Sequence, residues 1–298
     1  YTLAAFKLLP AIQNIYANVA AIRGNIAAFY SIQKDLIWSM HTKVSKQETE
    51  KSCLHVKDKI ILDNITFTYP DKIKSTLKHV NMSIPTNTVV GIVGPSGSGK
   101  STLINVLLGL IEPQEGDLKI DDVVINEHNR RAWQNSIGFV AQNIFLSDRS
   151  IAENVAFGIE KDEIDLDRVN KALDLSHLTE LLRNLDNGIN TLVGERGVKL
   201  SGGQSQRIGI ARALYHEAEV LVFDEATSSL DGISEKKVME AIHKFGGQKT
   251  IIMIAHRIKT VQNCDRIFFV DKGQVIDQGT YQELIDRNKD FQKMAAYS

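Results

Sequence analysis

The chain has 298 residues, 43% of them hydrophobic and 24% charged, an ordinary globular balance that excludes disorder, a collagen-like fibre and a small disulfide scaffold. Thirty-five Lys and Arg against 36 Asp and Glu leave a net charge of -1, so there is no general pull toward a polyanion and nucleic acid is not expected as a partner. The two cysteines, Cys53 and Cys264, lack CxxC spacing, which argues against a zinc site or redox pair and suits a reducing compartment.

The chain opens at Tyr1 with no basic, apolar and cleavable leader, so it reads as a cut from something longer. Ala5, Leu8, Ile12, Ile15, Val19, Ile22, Ile26, Phe29, Gln33, Leu36 and Met40 step by three and four residues, which predicts a long helix with one packing seam. Pro10 is expected to start or kink it. The uncharged stretch 8–22 contains Gln13, Asn14 and Asn18 and is too short for a complete membrane span. The pattern alone also fits an ordinary coiled-coil or bundle helix. Residues 42–52 are polar and without period and read as a linker. The segment up to Ser52 carries a net charge of +3 and the rest -4, a weak hint of the cytoplasmic end of a membrane span.

Beyond the linker, β-branched runs at 60–67, 89–93, 137–140, 220–223, 250–255 and 267–270 alternate with helical stretches, predicting an α/β domain on a largely parallel buried sheet. Residues 162–185 read as a helical insertion. Gly94-Pro95-Ser96-Gly97-Ser98-Gly99-Lys100-Ser101 matches GxxxxGK[ST] directly after the 89–93 strand and before a helical run from Thr102 to Leu110. Such a loop curls its N–H groups around phosphate oxygens, the helix N-terminus adds partial positive charge, Lys100 reaches the β and γ phosphates, and the Ser101 hydroxyl ligates Mg2+. Leu200-Ser201-Gly202-Gly203-Gln204, before a helical run at 208–215, offers a second anion cradle. One nucleotide needs one phosphate loop, so the second serves another ligand or completes the site of a second molecule. Asp224 and Glu225 end the 220–223 strand at the carboxyl edge, where open α/β sheets bind ligands. Asp224 suits the Mg2+ shell, and Glu225 could accept a hydrogen bond from an attacking water.

The Leu200–Gln204 pentapeptide, lying between the Lys100 loop and the Asp224 strand, resembles the signature of ATP-binding cassette ATPases, and the resemblance extends from about residue 60 to the C-terminus. It implies a P-loop NTPase (RecA-like) core with an antiparallel β subdomain and a helical insertion, preceded here by the long N-terminal helix. It also implies roles for single positions. Tyr69 matches the aromatic that stacks on adenine, with the loop Gly94 to Ser101 and Thr102 holding the phosphates. Gln142 matches the glutamine that touches Mg2+ and couples to the membrane part, although Ala141 stands where Pro is common. Asp231, in Ser229-Leu230-Asp231, matches the D-loop, and His256 the switch histidine on the γ-phosphate. Catalysis would then fall to Glu225, His256, Gln142 and Lys100, metal binding to Ser101, Gln142 and Asp224, with ATP and Mg2+ as ligands. Ser201, Gly202, Gly203, Gln204 and Asp231 would act in trans across a head-to-tail homodimer.

Residues 191–197 and 150–155 resemble the exporter subtype, with Leu192 where Glu is usual. On that reading residues 1–41 are the end of the last transmembrane helix of a half-transporter, 42–54 a linker and 55–298 the nucleotide-binding domain. The cassette would lie on the cytoplasmic side of the cell membrane, against its own upstream transmembrane domain. Rivals are a soluble cassette ATPase of DNA repair or translation, an importer subunit, which gives no reason for the N-terminal seam, and a silent cassette, which Glu225 and His256 oppose. Residues 8–15 are faintly similar to half-transporters that flip lipid-linked oligosaccharides.

Overall fold

The computed structural model describes residues 2–41, 52–226, 232, 235–236, 239–240, 247–255 and 257–296. The chain divides into two compact units, residues 1–50 and 51–298. Most of the first is one helix, α1 (Thr2–His41), about 60 Å long at 1.5 Å per residue. Pro10 lies inside it rather than at its start. Its seam residues Leu8, Ile12, Ile15, Val19, Ile22, Ile26, Phe29 and Leu36 are all exposed. Among the described residues no helix is long and apolar enough to cross a membrane.

The second unit is built on two sheets. Strands β1 (Lys59–Phe67), β2 (Leu77–Pro85), β4 (Glu115–Ile120) and β5 (Val123–Val124) form an antiparallel sheet in the order β2-β1-β4-β5. A larger sheet, in the order β10-β9-β3-β8-β7-β6, joins β3 (Val89–Val93), β6 (Ile137–Val140), β7 (Val220–Asp224), β8 (Thr250–Ala255), β9 (Arg266–Asp271) and β10 (Gln274–Gly279). Its pairings are parallel except β10 on β9. The β-branched runs land on β1, β3 and β6 to β9. The sequence period did not locate β2, β4, β5 or β10. In β2 the alternation of Leu77, Val80, Met82 and Ile84 is reset by His79 at φ 49°, and β4 begins on exposed Glu115, Gly116 and Asp117.

Ile60, Leu62, Ile65, Leu77 and Ile84 pack with Val90, Ile92 and Phe268 and with Leu103, Ile104 and Leu107 of α2 (Lys100–Leu107), so one core joins the two sheets to the helix after the Gly-rich loop. On the other face, β7, β8 and β9 pack against Ile210 and Ala213 of α7 (Gly202–Tyr215) and Phe291 of the C-terminal helix Lys289–Ala296. The predicted insertion contains α5 (Leu166–Leu175) and α6 (Thr179–Arg183), with Asp165 capping α5 through the Asp167 and Arg168 N–H groups. Short helices α3 (Arg130–Asn135) and α4 (Ile151–Val155) complete the chain order before it. Val169, Leu173, Ile151, Val155, Ile208 and Tyr215 fuse α4 and α5 to α7 in a third core.

Candidate active site

Parallel pairing of β6, β7, β8 and β3 brings the segments that follow these strands to one edge of the sheet, so Ala141-Gln142, Asp224-Glu225 and the Gly94 loop are neighbours although distant in sequence. A Cβ on Gly94 would overlap the Val270 carbonyl, so this position admits only glycine. At Gly97 the constraint is conformational: φ is +77°, while an added Cβ would meet nothing within 4 Å among the described residues. The Ser98 hydroxyl is buried and has no hydrogen-bond partner among the described residues, a donor suited to an incoming phosphate oxygen.

Lys100 is buried at 5% exposure, and its ammonium donates to the carbonyls of Gly94 and Pro95, each at 2.9 Å. Burial lowers its pKa from the ordinary lysine value, and the negative charges of Glu225 and Asp224 oppose that shift. The cation and both carboxylates therefore share one field. Ser101 is exposed at the first turn of α2, and Thr102, buried beside it, shares a 3.3 Å hydrogen bond with the Tyr69 hydroxyl. The Tyr69 ring stands edge-on to Phe67 at 4.9 Å, with the Lys72 ammonium 5.6 Å from its centroid.

Glu225 sits just past β7 in a left-handed conformation, φ 49°, its N–H still bonded to Ile254 at 3.1 Å. That reversal of the chain turns the carboxylate out of the strand alternation, at a cost a non-glycine residue bears only where its surroundings hold it. The Gln142 amide donates to Glu225 Oε2 at 2.8 Å. The Ser101 hydroxyl, Gln142 amide oxygen and Asp224 carboxylate expected to hold Mg2+ would supply hard oxygens with one charge, a donor chemistry that suits a Mg2+ keeping waters and phosphate oxygens.

Ser201 caps α7: its hydroxyl accepts the Gln204 N–H at 3.2 Å, and the Gln204 side chain accepts the Ser201 N–H at 2.8 Å. Gln204 is thereby occupied in the cap, while the exposed Ser201 retains its hydroxyl hydrogen for an anion. His256 and Asp231 lie outside the described residues. Sequence reading did not single out Gln206 and Arg212, which with Gly209 hold α7 against the segment after β6. The available signal was polar side chains recurring at helical spacing on a helix of Ile, Gly and Ala.

The ABC transporter family model matches residues 77–228, from β2 through Glu225 and just beyond. The chain belongs to the ABC transporter family and carries its ATPase domain, of the exporter type. An ATP-dependent lipid A-core flippase of Cupriavidus pinatubonensis is 41% identical over 233 residues, 78% of this chain and 40% of the relative. One from Wigglesworthia glossinidia brevipalpis is 35% identical over 286 residues, 96% of this chain and 48% of the relative. The structure of a bacterial Atm1-family ABC exporter with ATP bound superposes with a TM-score of 0.79 at 31% identity, covering 89% of this chain and 46% of the other. The chain thus spans less than half the length of these relatives.

Proposed function

We propose that this chain hydrolyses ATP at the Lys100 loop and couples hydrolysis to movement of a lipid-like cargo by a membrane domain lying upstream in the same polypeptide. The observation that carries the reading is the Gln142–Glu225 hydrogen bond at the edge that also holds Lys100 and Asp224. Lys100 leaves the Gly94 and Pro95 carbonyls to bind the β and γ phosphates, and Tyr69, fixed through Thr102, stacks on adenine. Glu225 orients and deprotonates the water that attacks the γ-phosphorus in line, and the phosphate leaves with ADP as the other product. Ser101, Asp224 and Gln142 would hold Mg2+, which would supply charge neutralisation on the phosphates. His256 stabilises charge on the transferring group.

A second copy, head to tail, closes each site with its Ser201 hydroxyl and the Gly202 and Gly203 N–H groups on the γ-phosphate and Asp231 beside them, since the α7 N-terminus presents donors and a positive dipole end. Residues 1–41 continue the membrane domain, 42–54 connect, and 55–298 form the cassette on the cytoplasmic side. The relatives named as lipid A-core flippases point to an amphipathic glycolipid as cargo. The test is ATPase activity of the full-length transporter in liposomes against lipid-linked sugars, phospholipids and peptides. Stimulation by glycolipids is expected; stimulation by peptides alone would reject the cargo class, and no nucleotide turnover would reject the enzyme.

A further inference from the structure

Gln206 is polar, 3% exposed, and lies on α7 facing the strand-to-loop junction after β6. Its side-chain amide donates to the carbonyls of Ala141 at 3.4 Å and Gln142 at 3.5 Å, the two peptide groups that flank the Gln142 side chain's own Cα. One turn further along α7, a Cβ at Gly209 would run into Ile144, so the helix and this segment are in direct contact there. Arg212 donates to Phe145 at 3.1 Å and Asn154 at 2.9 Å, and Asn154, fully buried, ties Ser147 and Ser150 together. The downstream part of the segment is therefore held by Arg212 and Asn154, while Gln206 reaches its beginning, where Gln142 meets Glu225.

We propose that Gln206 is a positioning residue: by holding the Ala141 and Gln142 carbonyls it aims the Gln142 amide at Glu225, and it does so from the helix whose first residues are the Ser201 turn. The inference rests on the reading of Glu225 as the group that activates water. Two peptide planes fixed on either side of a residue fix the direction of its Cα–Cβ bond, so an amide that orients both carbonyls sets where the next side chain points. Because α7 is a hydrogen-bonded rod, a shift of Ser201 on meeting a partner's phosphate is carried to Gln206, and from there to Gln142. Each chain would thus register its contribution to the partner's site in the geometry of its own Glu225.

The test uses the full chain. Gln206→Glu keeps the volume but replaces the amide donor with an oxygen facing two carbonyls; Gln206→Leu removes polarity. Both should lower kcat on the order of 10- to 100-fold while KM for ATP changes less than about threefold, as expected for a group acting through another on the reacting geometry. In a Gln142→Ala background neither should cost anything further, because the path is already cut. Amide hydrogen exchange of residues 141–146 should accelerate in both variants while β1 stays protected. Wild-type kcat in Gln206→Glu, additive losses with Gln142→Ala, or unchanged exchange at 141–146 would each overturn the proposal. Normal turnover in Glu225→Gln would instead reject the role of Glu225, and exchange would still decide whether Gln206 holds the segment.

Discussion

Gln142 Nε2 lies 2.8 Å from Glu225 Oε2, joining the loop after β6 to the residue after β7 across the edge of the parallel sheet. One amide has two ends. With nitrogen on Glu225, the amide oxygen is the end that would join the Mg2+ shell on the proposed reading, while the nitrogen holds the carboxylate. If Glu225 directs one carboxylate oxygen at water, as proposed, the amide bonded to the other oxygen limits where that lone pair points.

Lys100→Ala should abolish turnover and weaken ATP binding by about 2 to 3 kcal/mol, on the order of a hundredfold, the range for a hydrogen-bonded charge on phosphate. Among the described residues the buried ammonium bonds the Gly94 and Pro95 carbonyls, and its removal takes away the cation that shares a field with Asp224 and Glu225. Isothermal titration with a slowly hydrolysed ATP analogue checks it. Unchanged affinity would mean that Lys100 stays on the Gly94 and Pro95 carbonyls when nucleotide binds.

Tyr69→Ala should weaken ATP binding by about 1 to 2 kcal/mol through lost stacking, with a milder effect on turnover. Tyr69→Phe should stay close to wild type in adenine affinity, since it keeps the ring and loses only the 3.3 Å bond to Thr102. Equal loss of ATP and bare triphosphate binding in Tyr69→Ala would show that the ring does not meet the base.

The strands buried on both faces were legible because β3, β7 and β8 are nearly unbroken apolar runs, and the Lys100 loop because its glycines have a fixed spacing. The antiparallel sheet was not located strand by strand: Asn64 at φ 54° and His79 at φ 49° each shift the alternation within one strand, and a bulge has no hydrophobic period to announce it. Glu225 was legible as an acid after a strand, but not its left-handed turn, which depends on the backbone bond to Ile254. Gln206 is uninformative as a residue type in a helix and acquires its meaning from the carbonyls of residues 65 and 64 positions earlier.

Acid should weaken the ties of Arg287 and Asn288 to Asp277 of β10. Burial alone would raise the Asp277 pKa, but hydrogen bonds from Arg287, Asn288 and the Gln278 N–H outweigh it and hold the carboxyl below its ordinary value. A carboxylate with a depressed folded pKa stabilises the fold above its unfolded pKa, about pH 4, and that contribution is lost as pH falls through the folded value. Asp277→Asn should therefore cost about 1 kcal/mol at pH near 7 and progressively less below about pH 4. Urea unfolding at both pH values decides it: a penalty that persists undiminished in acid would show that charge is not the cause.

Glu225→Gln separates binding from chemistry. The variant keeps shape and hydrogen-bonding reach toward Gln142 while removing the carboxylate that accepts the water proton, so turnover should fall roughly 100- to 10,000-fold. ATP binding should persist, because Lys100, Ser101, Asp224 and Tyr69 are unchanged and one negative charge facing the γ-phosphate is gone. On the proposed assembly, uncleaved ATP would then remain between two copies, with the Ser201 hydroxyl, already fixed by its cap to Gln204, on the phosphate. An ATP-dependent shift from monomer to dimer should be stronger in Glu225→Gln than in wild type and should vanish when Ser201→Arg is added, since the larger side chain fills the approach to the α7 N-terminus. Light scattering on the full chain, with and without ATP, reads it. A variant that binds ATP yet shows no ATP-dependent change in mass at high concentration would reject the shared site, and near-normal turnover would show that another group activates the water.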